Sequence, residues 1–178
     1  MGAQATRLRT GETAGTARVK ILKSSRHSKI TGDFAEALVL YWLSKHGFEC
    51  ARVDHTGLDL IARNPHTKEL MGLSVKSRSR STGTEGTVLR IDGSEIPRLD
   101  AACKAFGCAP YFAIVVDARD LIRAWITPKE KFVELCEFKG GASIYWKMGR
   151  GRLKRYAADH SVIAFEFGTK TVNWWQPA

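Results

Sequence analysis

The first apolar segment of the chain, residues 29–48, has the length and composition of a buried helix. Its central turns are apolar on nearly every side, which is typical of a helix enclosed by other elements. Thr31 or Asp33 is expected to cap its N-terminus, because short polar side chains accept hydrogen bonds from the free amides there. Gly47 is expected to end it, because glycine readily takes the left-handed conformation that closes a helix.

Three short runs that follow have the pattern of strands. They cover residues 49–54, 57–63 and 70–78, and turn-prone residues separate them. Runs of this length between turns predict strands that are consecutive in a sheet. We therefore expect three strands joined by tight connections.

The second half of the chain continues the alternation of helix and strand. Residues 94–107 predict a helix with Ser94 as its cap. Residues 109–118 form a continuous apolar run, which is typical of a central strand covered on both faces, and residues 121–128 predict its partner. A short helix is expected over PKEKFVELCEF, and the tail mixes strand-like and basic segments. The order helix, three strands, helix, strand predicts an α/β fold, with a mixed sheet flanked by helices and with C-terminal additions.

The length of 178 residues and the hydrophobic content of 44% suit one domain with its own core. Residues 1–28 are rich in small, hydroxyl and basic residues without apolar periodicity, so they predict a flexible basic arm. Residues 29–178 are then expected to form a single α/β domain. The sequence contains no run of about 18 apolar residues and no secretory signal pattern. We therefore expect a soluble cytoplasmic protein with no membrane partner.

The basic residues are concentrated in two segments. The net charge of the chain is +10, from 28 Lys and Arg against 18 Asp and Glu. Residues 1–29 and residues 139–155 each carry a net charge of +6, and the remainder sums to −2. Clustered cations favour a polyanion, because binding releases counterions from the phosphates. A basic surface without a partner is the alternative.

Four polar residues interrupt the predicted apolar elements. Glu36 lies on the apolar side of the first helix, where a carboxylate needs a cation or hydrogen bonds to offset its burial. Ser74 and Lys76 share one face of the third strand, because side chains alternate along a strand. If the second and third strands form a hairpin, Asp59 can lie on that same face. Pairing of Glu36 with an arginine, and a solvent-exposed Lys76 at a strand end, are the alternatives.

Carboxylates at such a point predict a site for a hard divalent cation, Mg²⁺ or Mn²⁺. Mg²⁺ keeps several waters and takes one or two protein carboxylates together with substrate phosphate. The metal would lower the pKa of a bound water and neutralise charge on the scissile phosphate. Lys76 would orient that water or stabilise the developing charge.

These residues, in this order of elements, resemble the PD-(D/E)XK nuclease superfamily, which includes many restriction endonucleases and archaeal Holliday junction resolvases. The resemblance covers residues 31–117 and is carried by Glu36 in GDFAEALVL, Asp59 in GLDLIA and Lys76 in LSVKSR. It implies a restriction-endonuclease-like fold in which Asp59 binds the metal, Lys76 is the catalytic lysine and Glu36 supports metal binding through water. The backbone carbonyl of Val75 would be a further metal ligand.

Ser74 departs from this family pattern, because it stands where the second acid belongs. A serine hydroxyl can hold a metal-bound water, but it brings no negative charge to attract the cation. Three outcomes are open. Glu36 takes the place of the missing acid, another acid such as Glu69 or Glu85 supplies it, or the site no longer cuts.

Two basic segments are candidates for contact with nucleic acid. The loop after Lys76, SRSRSTGTEGTVLR, places Arg78, Arg80 and Arg90 among Ser, Thr and Gly, so guanidiniums and hydroxyls could reach phosphate oxygens. The later segment interleaves aromatic residues with cations, which suits backbone contact and stacking on unpaired bases. A solvated loop and aromatic residues that close the core are the alternatives. The candidate residues are Arg78, Arg80, Lys147, Arg150, Arg152, Lys154 and Arg155.

The sequence thus predicts an enzyme, a Mg²⁺-dependent endonuclease that hydrolyses DNA phosphodiester bonds with metal-activated water. Cleavage of both strands would favour a homodimer. One alternative is a catalytically inactive nucleic-acid-binding protein on the same fold, in which Ser74 marks a site that binds without cutting. The other is an interaction subunit whose basic surface contacts an acidic protein.

Overall fold

The structure, a computed structural model, describes residues 23–81, 83–139 and 143–170. None of the helices in these residues combines the length and the apolar character needed to cross a membrane. The elements, in chain order, are α1 (His27–Lys45), β1 (Glu49–His55), β2 (Leu58–Arg63), β3 (Leu70–Ser79), β4 (Leu89–Asp92), α2 (Glu95–Phe106), β5 (Ala109–Ala118), β6 (Leu121–Pro128), α3 (Lys129–Leu135), β7 (Glu137–Lys139), β8 (Ser143–Trp146), α4 (Arg150–Ala158) and β9 (Ile163–Gly168).

Six strands form the main sheet, in the order β1-β2-β3-β5-β6-β9. The β3–β5 pair is parallel, and the other neighbouring pairs are antiparallel. A parallel pair requires a crossover connection, which here runs through β4 and α2. The strands β4, β8 and β7 form a separate small sheet. The predicted mixed sheet flanked by helices is therefore confirmed.

The main sheet separates two apolar clusters. Alternate residues of β5 point to opposite faces, so Phe112 and Ile114 belong to one cluster while Ala113 and Val115 belong to the other. Helix α1 packs on the face of Ala113. Residues of α2, α3, α4 and the small sheet cover the face of Ile114. Because both faces are covered, β5 is apolar along most of its length.

The first helix begins at His27, earlier than the sequence predicted. The Thr31 hydroxyl donates to the carbonyl of His27 inside the helix, at 2.7 Å. Asp33 forms an ion pair with Lys29 one turn earlier, at 2.8 Å. The prediction of a cap at Thr31 or Asp33 was therefore wrong, because both side chains find partners within the helix. The last two residues of the predicted arm belong to α1, and residues 1–22 lie outside the described residues.

Three elements, β4, β7 and α4, were not predicted. Strand β7 takes Glu137 and Phe138 from the segment that was predicted as a short helix. Strand β4 is short and lies in a segment that the sequence predicted as a loop, so Arg90 is on a strand. Arg78, the last residue of the third predicted strand, lies on β3 as expected. Helix α4 is strongly basic, and Tyr156 is its fully buried residue. With so few apolar residues, α4 has no helical hydrophobic pattern that a sequence reading could detect.

Candidate active site

The antiparallel pairing of β2 with β3 brings Asp59 beside the third strand. The ladder pairs Leu60 with Leu73. One step further along, Asp59 therefore faces Ser74. The carboxylate oxygen Oδ2 of Asp59 accepts the backbone N–H of Val75 at 2.6 Å, and the hydroxyl of Ser74 lies 3.5 Å from it. The hairpin thus places Asp59 on the sheet face that carries Ser74.

The Asp59 carboxyl group is partly buried, and this burial raises its pKa above the ordinary value. The hydrogen bond from Val75 and the positive charge of Lys76 lower the pKa, while the negative charge of Glu36 raises it further. The ionised carboxylate therefore lies where its charge is only partly compensated. A bound cation would supply the missing compensation, as expected for a metal ligand.

Ser74 fills the position where the resemblance requires an acid. The side chain is buried, with 1% of the residue surface exposed. Its hydroxyl points to the Asp59 carboxylate, at 3.5 Å. Ser74 therefore adds a weak hydrogen bond to Asp59 but no charge for a cation.

Lys76 forms an ion pair with a residue that the sequence reasoning missed. Its Nζ atom lies 2.5 Å from Oε2 of Glu95, the first residue of α2. The side chains are 25% and 18% exposed, so the pair is partly shielded from water. The other carboxylate oxygen, Oε1, lies 3.2 Å from Nη1 of Arg98. A second carboxylate thus lies directly beside the predicted catalytic lysine.

A sequence signal for Glu95 was available. It is the acidic residue in the first turn of α2, where a negative side chain interacts favourably with the helix dipole. The helix that connects two parallel strands must also pack back onto their sheet. An acid at the start of that helix was therefore a candidate for the face that carries Lys76.

Glu36 binds an arginine instead of joining the groups around Asp59. Its Oε2 atom accepts a hydrogen bond from the Arg52 guanidinium on β1. Glu36 belongs to α1, which packs on the sheet face opposite to α2. The alternative of an arginine partner therefore describes the observed contact. Glu36 still acts on Asp59 through space, because its charge raises the pKa of that carboxyl group.

The two other acids considered as replacements make contacts elsewhere. Glu69 accepts a hydrogen bond from the Tyr111 hydroxyl at 2.8 Å. Glu85 pairs with Arg119, at 2.6 Å. Within the described residues, neither acid forms a hydrogen bond or an ion pair with Lys76. Neither is therefore placed to replace the missing acid.

The donors available to a cation at this place are oxygen atoms. The carboxylates of Asp59 and Glu95 and the carbonyl of Val75 suit Mg²⁺, which takes one or two carboxylates and keeps several waters. In the part of the chain that the structure describes, no group of three or more His, Cys, Asp and Glu side chains could hold a metal. Because the available donors are oxygen atoms, the residues fit a hydrated Mg²⁺ or Mn²⁺ better than zinc, which is bound mainly by nitrogen and sulfur.

Several candidate nucleic-acid-binding residues already have acidic partners. Lys147 and Arg152 both pair with Glu137. Arg155 pairs with Glu134, at 3.1 Å. These cations would have to leave their partners, or share them, to bind a phosphate.

The remaining candidate cations have other surroundings. The Arg80 guanidinium donates to the carbonyls of Thr87 and Val88, at 2.9 and 2.8 Å, so it holds the loop before β4. The three other cations form no ion pair with an acid of the described residues. They are Arg78, Arg150 and Lys154. They are the candidates with positive charge free for a phosphate.

A cleft of about 490 Å³ lies between α4 and the strands β6 and β9. Arg150 and Lys154 line it together with Trp125. The strand register places Lys76 opposite Ile114 and Ile114 opposite Trp125. Lys76 and Trp125 are therefore on one sheet face, about 10 Å apart by strand spacing. The cleft and the candidate active site belong to the same side of the sheet.

No protein-family model and no curated protein matches the chain. Among solved structures, the chain is similar to Hjc, a Holliday junction resolvase from the archaeal hyperthermophile Archaeoglobus fulgidus. The two chains are 20% identical, and the match covers 70% of this chain and 88% of that chain with a TM-score of 0.51. The chain therefore has the restriction-endonuclease-like fold, a mixed six-stranded sheet flanked by helices.

Proposed function

We propose that the chain is an endonuclease that uses Mg²⁺ or Mn²⁺ to hydrolyse DNA phosphodiester bonds. The observation that carries the proposal is the placement of Asp59 near Lys76 on the β2–β3 hairpin, where the lysine charge acts on the carboxyl group. The likeness to a Holliday junction resolvase supports the proposal at the level of the fold. The basic net charge of +10 supports a polyanionic substrate.

In this proposal, each residue at the site has a separate task. A bound divalent cation would supply positive charge that lowers the pKa of a water and stabilises charge on the phosphate. The Asp59 carboxylate and the Val75 carbonyl would hold the cation. The Lys76 ammonium would orient the attacking water or stabilise the negative charge that develops on the phosphate oxygens. Glu36 would act at a distance, through the electrostatic effect it already has on Asp59.

Contact with the DNA backbone would come from cations that have no acidic partner within the described residues. Arg150 and Lys154 line the cleft on the same sheet side as Lys76, and Arg78 lies two residues beyond it on β3. Lys147, Arg152 and Arg155 would add weaker contacts because acids already neutralise them, and Arg80 is held by loop carbonyls. A homodimer would allow both strands of a duplex to be cut.

Ser74 favours a second candidate function, which is binding of nucleic acid without cleavage. Its hydroxyl gives the cation no charge, so a site that relied on the third strand for its second acid would bind metal weakly. Such a protein would bind DNA with a strong salt dependence and yield no metal-dependent product.

The proposal is tested by incubating the protein with supercoiled plasmid, linear duplex, single-stranded DNA, four-way junction and RNA. Each substrate is offered with Mg²⁺, with Mn²⁺ and with chelator. We expect cleavage that requires the metal, and we expect the preferred substrate to be DNA. Binding of all substrates without any metal-dependent product would support the second candidate function instead.

The Lys76→Ala variant is expected to cleave about 10²-fold more slowly than the wild type, because one preorganised positive group is lost from the transition state. The measurement is the single-turnover rate on the preferred substrate. Lys104→Ala is the control, since Lys104 is an exposed lysine near the end of α2. Equal rates for the wild type and Lys76→Ala would contradict the role given to Lys76.

Replacing Arg150 and Lys154 with glutamine is expected to weaken DNA binding and to reduce the slope of log affinity against log salt by about 2, one for each lost phosphate contact. Fluorescence anisotropy at several salt concentrations measures both quantities. The matched control replaces Arg152 and Arg155, which lie on the same helix but pair with acids. Equal effects of the two double variants would show that only the net charge matters.

A further inference from the structure

We propose that Glu95 supplies the second carboxylate of the candidate site, in place of the acid that Ser74 lacks. The inference rests on the proposed function, because it concerns the cation that this function requires. Glu95 differs from the acids considered from the sequence in that it contacts the site directly. Its Oε2 atom lies 2.5 Å from Nζ of Lys76, two residues along the same strand face from Ser74.

The position of Glu95 matches what a replacement acid needs. Side chains two residues apart on a strand lie about 7 Å from each other. A carboxylate on a helix that packs over this sheet face, and that contacts Lys76, can therefore also lie close to Ser74. It does not need to belong to β3. Glu95 is 18% exposed at its side chain, so it points into the molecule and not into solvent.

The backbone segments that carry Glu95 and Asp59 approach each other closely at Gly57. Gly57, in the turn before β2, has φ +88°, and a Cβ atom added there would lie 2.7 Å from the carbonyl carbon and oxygen of Arg98. The first turn of α2 therefore lies in close contact with the turn between β1 and β2, which precedes Asp59. This close approach of the two backbones limits how far the start of α2, and with it Glu95, can move relative to the turn before Asp59.

Glu95 could bind a cation through the oxygen that does not face Lys76. Oε1 contacts Arg98, whose side chain is 53% exposed, whereas Lys76 is 25% exposed. The Arg98 contact is the weaker one, because it is longer and closer to water. An arriving cation would displace Arg98 from Oε1 while Lys76 keeps Oε2 in place.

The test measures Mn²⁺ binding by isothermal titration calorimetry and DNA cleavage in parallel. We expect Glu95→Gln to lower the Mn²⁺ affinity at least about 10-fold and to slow cleavage at limiting metal. Asp100→Asn is the matched control, since Asp100 is another acid of α2 that pairs with a lysine, Lys129 at 2.7 Å. It is expected to leave both quantities unchanged.

A second variant tests the inference through an increase in Mn²⁺ affinity instead of a loss. Its result therefore does not depend on whether Glu95→Gln folds stably. Arg98→Gln frees Oε1, so it is expected to raise the Mn²⁺ affinity about threefold. A merely structural ion pair between Glu95 and Arg98 would leave this affinity unchanged. The double variant Glu95→Gln, Ser74→Asp is expected to bind Mn²⁺ again. Such restoration would support the inference that Glu95 supplies the carboxylate that position 74 lacks.

The outcomes separate the inference from the proposed function. If the wild type cleaves with metal, and Glu95→Gln binds Mn²⁺ as tightly as the wild type, the inference is overturned and the proposed function stands. If Glu95→Gln and Asp59→Asn both lose Mn²⁺ while Asp100→Asn retains it, the inference is supported. A wild type that neither binds Mn²⁺ nor cleaves any substrate overturns both.

Discussion

Replacing Asp59 with asparagine is expected to lower the rate of metal-dependent DNA cleavage by at least about 10³-fold. Asparagine has the same shape and keeps an oxygen that can accept the Val75 N–H, which Asp59 now accepts at 2.6 Å. It removes the negative charge that would hold the cation. The single-turnover rate at saturating Mg²⁺ measures the effect, with Asp54→Asn on exposed β1 as the control.

The same variant is expected to be at least as stable as the wild type. Burial raises the pKa of Asp59 in the folded chain, so the ionised form costs free energy of folding at neutral pH. This cost is present above the folded pKa and disappears as the pH falls below the unfolded value. The difference in melting temperature between the variant and the wild type should therefore shrink in acid. A variant that is less stable at neutral pH and also inactive would contradict this account of Asp59.

Gly57→Ala is expected to lower the free energy of unfolding by about 3 kcal/mol and to reduce the cleavage rate as well. Alanine is strained at φ +88°, and its Cβ would meet the Arg98 backbone at 2.7 Å. Neither contact atom is a side-chain end that could rotate away, so α2 must shift. Because Glu95 begins α2, this shift would move its carboxylate relative to Asp59. Urea denaturation and single-turnover kinetics measure the two effects.

Gly83→Ala is the matched control for this prediction. Gly83 has the same φ of +88°, but an added Cβ would meet no atom within 4 Å among the described residues. It is expected to cost about 1 kcal/mol, from backbone strain alone. Equal destabilisation by the two variants would mean that the close approach to Arg98 contributes nothing.

The order of elements could be predicted from the sequence because each long element has a clear pattern. The runs for β2, β3, β5 and β6 are apolar and bounded by turn residues, and α2 ends at Gly107 as predicted. Strand β4 and helix α4 could not be predicted in this way. A four-residue strand gives too few positions for a period, and the basic residues of α4 leave little apolar pattern.

The candidate site could be predicted only in part, for a related reason. Side chains alternate between the two faces of a strand, and a short turn pairs the strands on either side of it. Both rules are local, and together they were enough to expect Asp59 near Ser74 and Lys76. The contact between Lys76 and Glu95 depends on how α2 packs after the crossover, and no spacing rule in the sequence encodes that. The partner of Glu36 was likewise set by packing, because Arg52 lies on a neighbouring strand.

The local character of the site has a consequence for how the chain folds. The contacts among Asp59, Ser74, Lys76, Glu95 and Arg98 all join residues within positions 59–98, whereas β9 and α4 lie near the other end of the described residues. Short loops cost less entropy to close than long ones. The hairpin and the first turn of α2 can therefore assemble before the strand β9 pairs, and local opening at β9 can leave the arrangement of these five side chains intact.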